Sequence, residues 1–273
     1  MIDILKKQVL SEGRVQLTLH CSPYYSNSAL YPVINYFQRL CAWQASDDND
    51  SRISKLQSML KRYSADSEET TILMASLLSL EIPAREQSET VLSPHQQKQR
   101  TVDMIIAMMI DMAEQGPVLI LWEDLHWADH STLVLMNSLI EQVPTVSMLI
   151  VTTSRPGFDP PWPNQDYITP VTLNRLEQIH TQKLVNKIAS AKALPEEVIN
   201  HIVVKPDGVP LYVEELTKTI LKSNILLDNG DNYQPTGPLD SLSIPDTLQE
   251  ALVSRLDRLP QVRELAQIGA VFG

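Results

Sequence analysis

Apolar residues along the first third of the chain change from helical to alternating spacing and back again. Helical spacing predicts a helix at 2–10, and the alternation of Val15, Leu17 and Leu19 with polar residues predicts a strand at 14–20. Further segments with helical spacing predict helices at 29–43, 53–63, 68–80 and 94–114. This part of the chain is therefore predicted to mix helices with strands.

Two strongly apolar segments, at 118–122 and 148–152, predict strands that are buried on both faces. A helical pattern at 131–142 separates them. Strand, helix and strand in this order predict a parallel sheet with right-handed crossovers, so we assign this part to the α/β class. A further short strand is predicted at 169–173.

The pattern beyond residue 174 is mainly helical. Helices are predicted at 176–190, 195–204, 211–223, 247–259 and 262–271. The polar stretch 228–238 predicts either a loop or a hairpin. We therefore predict an α/β domain at 1–174, a helical subdomain at 175–259 and the start of a further region at 260–273.

Charge and cysteine content narrow the classes of function. The formal net charge is −11, and an acidic surface repels a phosphate backbone, so direct binding of nucleic acid is not expected. Cys21 and Cys41 lack the spacing of a zinc site or a disulfide framework, which predicts two reduced thiols and a cytoplasmic location. No apolar run approaches the ~20 residues that span a bilayer, so no membrane association is expected.

Two acidic residues, Glu123 and Asp124, follow the first strongly apolar strand directly. Ligands of open α/β sheets bind at the carboxyl ends of the strands. Hydrolysis of a nucleoside triphosphate needs Mg²⁺ and a carboxylate that orients the attacking water. Glu123 is therefore predicted to hold Mg²⁺ and Asp124 to polarise the water. The alternative is that the two acids only begin a solvated turn.

The second strongly apolar strand is followed by hydroxyl groups and then by Arg155. A guanidinium group at this sheet edge can bind a γ-phosphate through two parallel hydrogen bonds. Arg155 is therefore a candidate phosphate sensor. The alternative is a helix cap or a surface ion pair.

His126 lies between Asp124 and Asp129, and these three side chains raise the alternative of a metal-dependent hydrolase. No second histidine lies at the spacing that metal sites use. Packing of His126 near the sheet edge is the simpler interpretation.

The segment 119–129, LILWEDLHWAD, closely resembles the Walker B segment of STAND-type AAA ATPases. The match is to LuxR-type activators and to the ATPase region attached to class III adenylate/guanylate cyclases. Four further segments resemble this family in the same order: the segment after its second strand at 21–32, its sensor strand at 151–156, its GxP module at 208–216 and the entry to its winged-helix region at 244–259. The resemblance covers nearly the whole chain. It implies a P-loop NTPase-like (AAA/STAND) parallel sheet, an all-α subdomain and a winged-helix-like start at 260–273.

The resemblance also implies ligands and roles. Glu123 would be the magnesium acid, Asp124 the water-activating acid and Arg155 the γ-phosphate sensor, while Gly208 and Pro210 would pack near the adenine or ribose. Without the resemblance, Gly208 and Pro210 only predict the start of a helix. The implied ligands are ATP and Mg²⁺. The implied partners are a cyclase or DNA-binding domain of the same polypeptide, and copies that assemble when nucleotide binds.

One element of the family is missing from these 273 residues: the loop G-x-x-x-x-G-K-[ST] does not occur. In the family this loop precedes the first helix, which here is predicted at 2–10, and it supplies most of the hydrogen bonds to phosphate. We therefore expect a fragment of a regulatory ATPase, truncated at its first strand, that binds Mg-ATP only if the loop is supplied. The alternative is a non-catalytic interaction module whose partners bind at the gap left by that strand.

Overall fold

A computed structural model describes residues 2–63, 65–82, 93–190, 192–204, 206–222, 226–230, 232–236, 247–257, 265 and 269. The chain divides into two compact units, 1–168 and 169–273, so the predicted boundary at 174 lies inside the second unit. The predicted helix at 262–271 and the region at 260–273 lie outside the described residues, apart from Leu265 and Gly269.

The first unit is a mixed α/β structure built on a three-stranded parallel sheet. The strand order is β1-β2-β3, and both neighbouring pairs are parallel. The elements described in this unit are α1 (Ile2–Ser11), β1 (Val15–His20), α2 (Tyr31–Leu40), α3 (Asn49–Arg62), α4 (Glu68–Leu77), α5 (Pro94–Gln115), β2 (Val118–Glu123), α6 (His130–Gln142) and β3 (Met148–Thr152). The predicted parallel sheet is therefore confirmed.

Several helices begin at polar side chains that cap their first turn. Ser93 Oγ accepts a hydrogen bond from Gln96 N at 3.3 Å, and Ser93 N donates to Gln96 Oε1 at 3.0 Å, which forms a capping box at the start of α5. The side chains of Asp48 and Ser67 cap α3 and α4, because each accepts a hydrogen bond from a backbone N–H of the first turn. Helix α2 begins later than predicted because Leu30 adopts a left-handed conformation with φ 57°. Within the described part of the chain, no helix is both long enough and apolar enough to span a bilayer.

The two faces of the sheet are covered by different helices. Ile120 and Trp122 belong to a core that contains side chains of α2 to α6 and none of the described residues of α1. Leu121 is also buried but lies outside that core, because successive side chains of a strand point to opposite faces. Glu123 shares the face of Leu121 and contacts Lys6 of α1. Helix α1 therefore lies on the face opposite to α2–α6.

Two expectations about strands are wrong. Strand β2 is buried from Val118 to Trp122, but β3 is buried on one face only, because Met148 and Ile150 face the core whereas Leu149, on the other face, is 53% exposed. Residues 169–173 form no strand, and Val171 and Leu173 are 66% and 77% exposed. An alternating pattern does not form a strand unless a neighbouring strand accepts its hydrogen bonds.

The second unit contains helices and a short antiparallel hairpin. Its described elements are α7 (Gln178–Ile188), α8 (Glu196–Val204), α9 (Pro210–Lys222), β4 (Leu226–Asp228), β5 (Tyr233–Pro235) and α10 (Leu248–Asp257). Val185, Val213 and Leu216 are fully buried in the core of this unit. The hairpin alternative for the stretch 228–238 is therefore confirmed, although its first strand begins at Leu226, and the expectation of an all-α subdomain is corrected.

Candidate functional site

The candidate site lies at the carboxyl edge of the parallel sheet, where β1 and β2 end side by side. The strand register pairs His20 with Glu123. Glu123 Oε1 lies 2.6 Å from Lys6 Nζ, and Glu123 Oε2 lies 3.1 Å from His20 Nδ1. Only 24% of the Glu123 side chain is exposed, so both oxygens of a largely buried carboxylate are engaged by basic groups.

Asp124 is held in a left-handed turn, with φ 58° and ψ 43°, which aspartate adopts more readily than most residues. Its backbone N donates to Thr153 Oγ1 at 3.0 Å. Thr153 N donates to Trp122 O at 2.9 Å, and Leu125 N donates to Thr153 O at 2.8 Å. Thr153 therefore links the end of β2 to the end of β3 through hydrogen bonds. The Asp124 carboxylate is exposed and makes no hydrogen bond or ion pair with any residue that the structure describes.

Asp129 is buried and serves as an internal acceptor. Its Oδ1 accepts from Ser131 N at 2.9 Å, Thr132 N at 3.0 Å and Leu30 N at 3.2 Å, and its Oδ2 accepts from Thr132 Oγ1 at 2.5 Å. It thus caps α6 and ties that helix to the residue before α2. An aspartate just before a helical pattern, here two residues before the predicted helix at 131–142, is the sequence signal for this role, and our sequence interpretation did not use it.

Cys21 lies beside the acids, and its backbone N donates to Glu123 O at 2.9 Å. Burial raises the pKa of the Cys21 thiol from 9.0 to about 12, with further contributions from the charges of Asp129 and Asp124. The thiol is therefore neutral near neutral pH, so Cys21 is not suited to act as a nucleophile.

The arrangement does not form a ready metal centre. No group of three His, Cys, Asp or Glu side chains suited to a metal occurs within the described ranges, so the alternative cluster of Asp124, His126 and Asp129 is wrong. Asp129 is used as a helix cap, and both ring nitrogens of His126 are buried without a hydrogen-bond partner among the residues that the structure describes. Mg²⁺ fits Glu123 only if Lys6 is displaced from its carboxylate.

The structure places Arg155 two positions after Thr153, on an exposed turn. Its carbonyl accepts a hydrogen bond from Phe158 N at 3.3 Å. Its guanidinium makes no hydrogen bond or ion pair within the described part of the chain, and so it is not brought into contact with Glu123 or Asp124. Its role as a phosphate sensor stays a prediction.

Gly208 and Pro210 lie in the second unit, apart from the unit that carries the acids. Gly208 has φ 71°, its carbonyl accepts from Leu176 N at 2.8 Å, and a Cβ at this position would lie 2.3 Å from Leu176 O. Pro210 opens α9, where its missing N–H costs nothing. These contacts explain both residues structurally, and their predicted position near a nucleotide stays a prediction.

Comparison with known proteins adds one similarity. No protein-family model and no solved structure matches the chain. The chain is 22% identical over 279 residues to an uncharacterized protein of Rhizobium meliloti (strain 1021), a match that covers 98% of this chain. The chain spans about a quarter (26%) of the length of that curated relative.

Proposed function

We propose that the chain is part of a regulatory STAND-type AAA ATPase, the nucleotide-dependent switch module of a larger signalling protein. The observation that carries this proposal is the acidic pair Glu123 and Asp124 at the carboxyl end of the central strand of a parallel sheet. The 273 residues contain no phosphate-binding loop, so we expect no ATP hydrolysis by this chain alone. The output would be a cyclase or DNA-binding domain of the same polypeptide.

The position of α1 supports a P-loop type of topology. The crossovers β1→β2 and β2→β3 use α2 to α6 on one face, whereas α1 lies on the other. A right-handed crossover that passes over one face of a sheet places the next strand on one side of the first, and a right-handed crossover over the other face places it on the opposite side. A strand that preceded α1 would therefore pair with the free edge of β3. The strand order would reverse at that point, where open α/β sheets bind their ligands.

The residues at this edge support the same proposal. Asp124 offers an unengaged carboxylate, and Thr153 fixes its backbone at the end of β3. Arg155 follows β3, the strand beside the point where the order would reverse. Its guanidinium is not held by any described residue and can turn toward a ligand. Lys6 supplies the positive charge that balances Glu123 in the chain as it stands. We infer that a bound nucleotide with its cation would have to displace Lys6 before Glu123 could take part.

A non-catalytic interaction module is the second candidate. The observations in its favour are the edge of β3 that pairs with no described strand, the exposed Leu149 on that strand, and a Glu123 carboxylate that Lys6 already neutralises and His20 contacts. An uncovered strand edge can accept a strand from another chain. Capture of one specific partner in the absence of nucleotide would favour this candidate.

Titration calorimetry with Mg-ATP tests the proposal. The 273-residue chain is compared with a chain extended upstream in the same reading frame, and we expect binding by the extended chain alone. Glu123→Gln should then stop turnover in the extended chain, whereas Glu114→Gln, an exposed control on α5, should not. Absence of binding by both chains would favour the interaction module. Turnover that Glu123→Gln leaves unchanged would contradict the assigned site.

A further inference from the structure

A second concave site lies in the first unit, away from the acids, between the carboxyl ends of α2 and α4 and the first half of α3. Its volume is about 580 Å³, within the range of ~300–1,000 Å³ that small-molecule sites occupy. The side chains that define its chemistry are Arg39, Trp43, Gln44, Arg52, Leu77 and Ser79. None of the roles proposed above uses this pocket.

The pocket is positively charged in a chain of negative charge. Arg39 and Arg52 line it, and no acidic residue is among its described lining, although the whole chain carries a formal charge of −11. Asp47 lies nearby, but its Oδ2 is engaged by Lys55 Nζ at 2.6 Å and by Gln44 N at 2.7 Å. The site therefore favours an anion over a neutral or cationic ligand.

Two donors at the pocket have no acceptor. Trp43 Nε1 and Arg52 Nε are buried, and neither has a hydrogen-bond partner within the described residues. The Arg52 guanidinium lies 5.2 Å from the centroid of the Trp43 ring, so the two side chains form one amphipathic wall. Buried donors without acceptors are costly, so a ligand oxygen toward which either side chain turns would supply the missing acceptor.

The turns beside the pocket are strained. Ala42 and Ser79 have φ 52° and 57°, a left-handed conformation that is unfavourable for residues other than glycine. Trp43 N donates to Gln38 O at 3.3 Å, and an equivalent bond closes the end of α4, so carbonyls at both helix ends are already paired. Both turns are therefore left-handed helix ends of a common kind, and their paired carbonyls hold the rim of the pocket in place.

We propose that this pocket binds a small organic anion, a carboxylate or phosphate attached to a flat aromatic or apolar body. Arg52 would hold the oxyanion, because a guanidinium group matches the geometry of two oxygens. Arg39 would add positive charge, since its Nη2 and Nε already donate to Thr18 O at 2.9 Å and Asn35 O at 3.4 Å. The Trp43 ring and Leu77 would pack against the body of the ligand. This proposal stands independently of the proposed ATPase module.

The test is titration calorimetry of the full chain with 2-naphthoate, 2-naphthyl phosphate and the neutral analogue 2-naphthamide. We expect at least one of the two anions to bind and the amide not to bind. Arg52→Gln should weaken the binding of that anion by about tenfold or more. Arg62→Gln, an exposed control at the end of the same helix, should change the affinity by less than about twofold. Trp43→Phe retains the ring and removes the indole donor, so it should weaken binding to a smaller extent.

Three results would overturn the proposal: binding of none of the probes at millimolar concentration, equal binding of the amide and the anions, or equal effects of Arg52→Gln and Arg62→Gln. Thermal unfolding of each variant shows whether it is folded. If Arg52→Gln does not fold, Arg52→Lys replaces it, because it keeps the charge and loses the two-pronged geometry. The two anions distinguish a carboxylate site from a phosphate site.

Discussion

Lys6 and Glu123, which lie 117 positions apart in the chain, form an ion pair with Nζ 2.6 Å from Oε1. This contact joins α1 to the carboxyl end of the central strand. No residue of α1 is buried, and Ile4 and Leu10 are 71% and 62% exposed. Ile2, Leu5 and Val9, on the other side of the helix, are partly buried, so apolar contacts and the ion pair together attach α1 to the sheet.

Lys6→Met should lower the free energy of unfolding by about 1 kcal/mol, at the upper end for partly exposed ion pairs, because it leaves Glu123 with His20 alone. Lys7→Met, an exposed neighbour on the same helix, should change it by less than about 0.5 kcal/mol. Urea unfolding measures both values. A double-mutant cycle with Glu123→Gln isolates the pair, and a coupling energy near zero would contradict the assigned role of Lys6.

Local patterns predicted most of the elements of the first unit. Ser93 and Pro94 predicted the start of α5, and the apolar segment at 118–122 predicted β2, because caps and buried strands are encoded by neighbouring residues. The exposure of Leu149 was not predictable from its own segment. It depends on what packs against the face of β3 from which Leu149 projects, and packing on a sheet face is a long-range property.

The candidate site was predictable only in part. The position of Glu123 and Asp124 at the sheet edge follows from an apolar strand that ends in acids, and the structure confirms that position. The hydroxyl group of Thr153 was also expected at this edge, because it follows the neighbouring strand, and it accepts from Asp124 N. Lys6 and His20 were missed, because each meets Glu123 through folding and nothing in its local sequence marks it as a neighbour of a carboxylate.

Asp129→Ala should destabilise the protein by about 2–3 kcal/mol, because it removes a helix cap and leaves the buried Leu30 N–H without an acceptor. Asp48→Ala is the matched control. It removes a cap of the same kind from α3, but Asp48 makes no long-range bond to any residue that the structure describes, so a clearly smaller loss is expected. Urea unfolding of the two variants gives the difference. Equal losses would show that the bond from Leu30 contributes nothing measurable.

The two cysteines should be inert in the folded chain. Burial raises the pKa of Cys21 to about 12 and that of Cys41 to about 11, so near pH 8 both should resist iodoacetamide until urea unfolds the protein. Mass spectrometry of the alkylated chain measures the extent of modification at each cysteine. Modification of either thiol in the native chain at the rate seen in urea would contradict the assigned burial.

The same pKa values imply a pH dependence of stability. Between the ordinary thiol pKa of 9.0 and about 12, the folded chain keeps a proton at Cys21 that the unfolded chain releases, so the stabilisation is present below pH 9 and is lost as the pH rises. Urea unfolding across this pH range should show that the free energy of unfolding declines as the pH rises, and that it declines less steeply in Cys21→Ala. Parallel curves for the two proteins would contradict a raised pKa at Cys21.

Gly208→Ala and Gly230→Ala separate two costs that glycine avoids. Both glycines have positive φ, 71° and 92°, so alanine at either position should cost about 1–2 kcal/mol from left-handed strain. A Cβ at Gly208 would also lie 2.3 Å from Leu176 O, whereas nothing lies within 4 Å of one at Gly230. We therefore expect Gly208→Ala to lower the unfolding free energy by about 3 kcal/mol or more, because the backbone of Leu176 must move. Equal values from urea unfolding would show that the segment before α7 yields to the methyl group, and the close approach of Gly208 to Leu176 would then not be required for the fold.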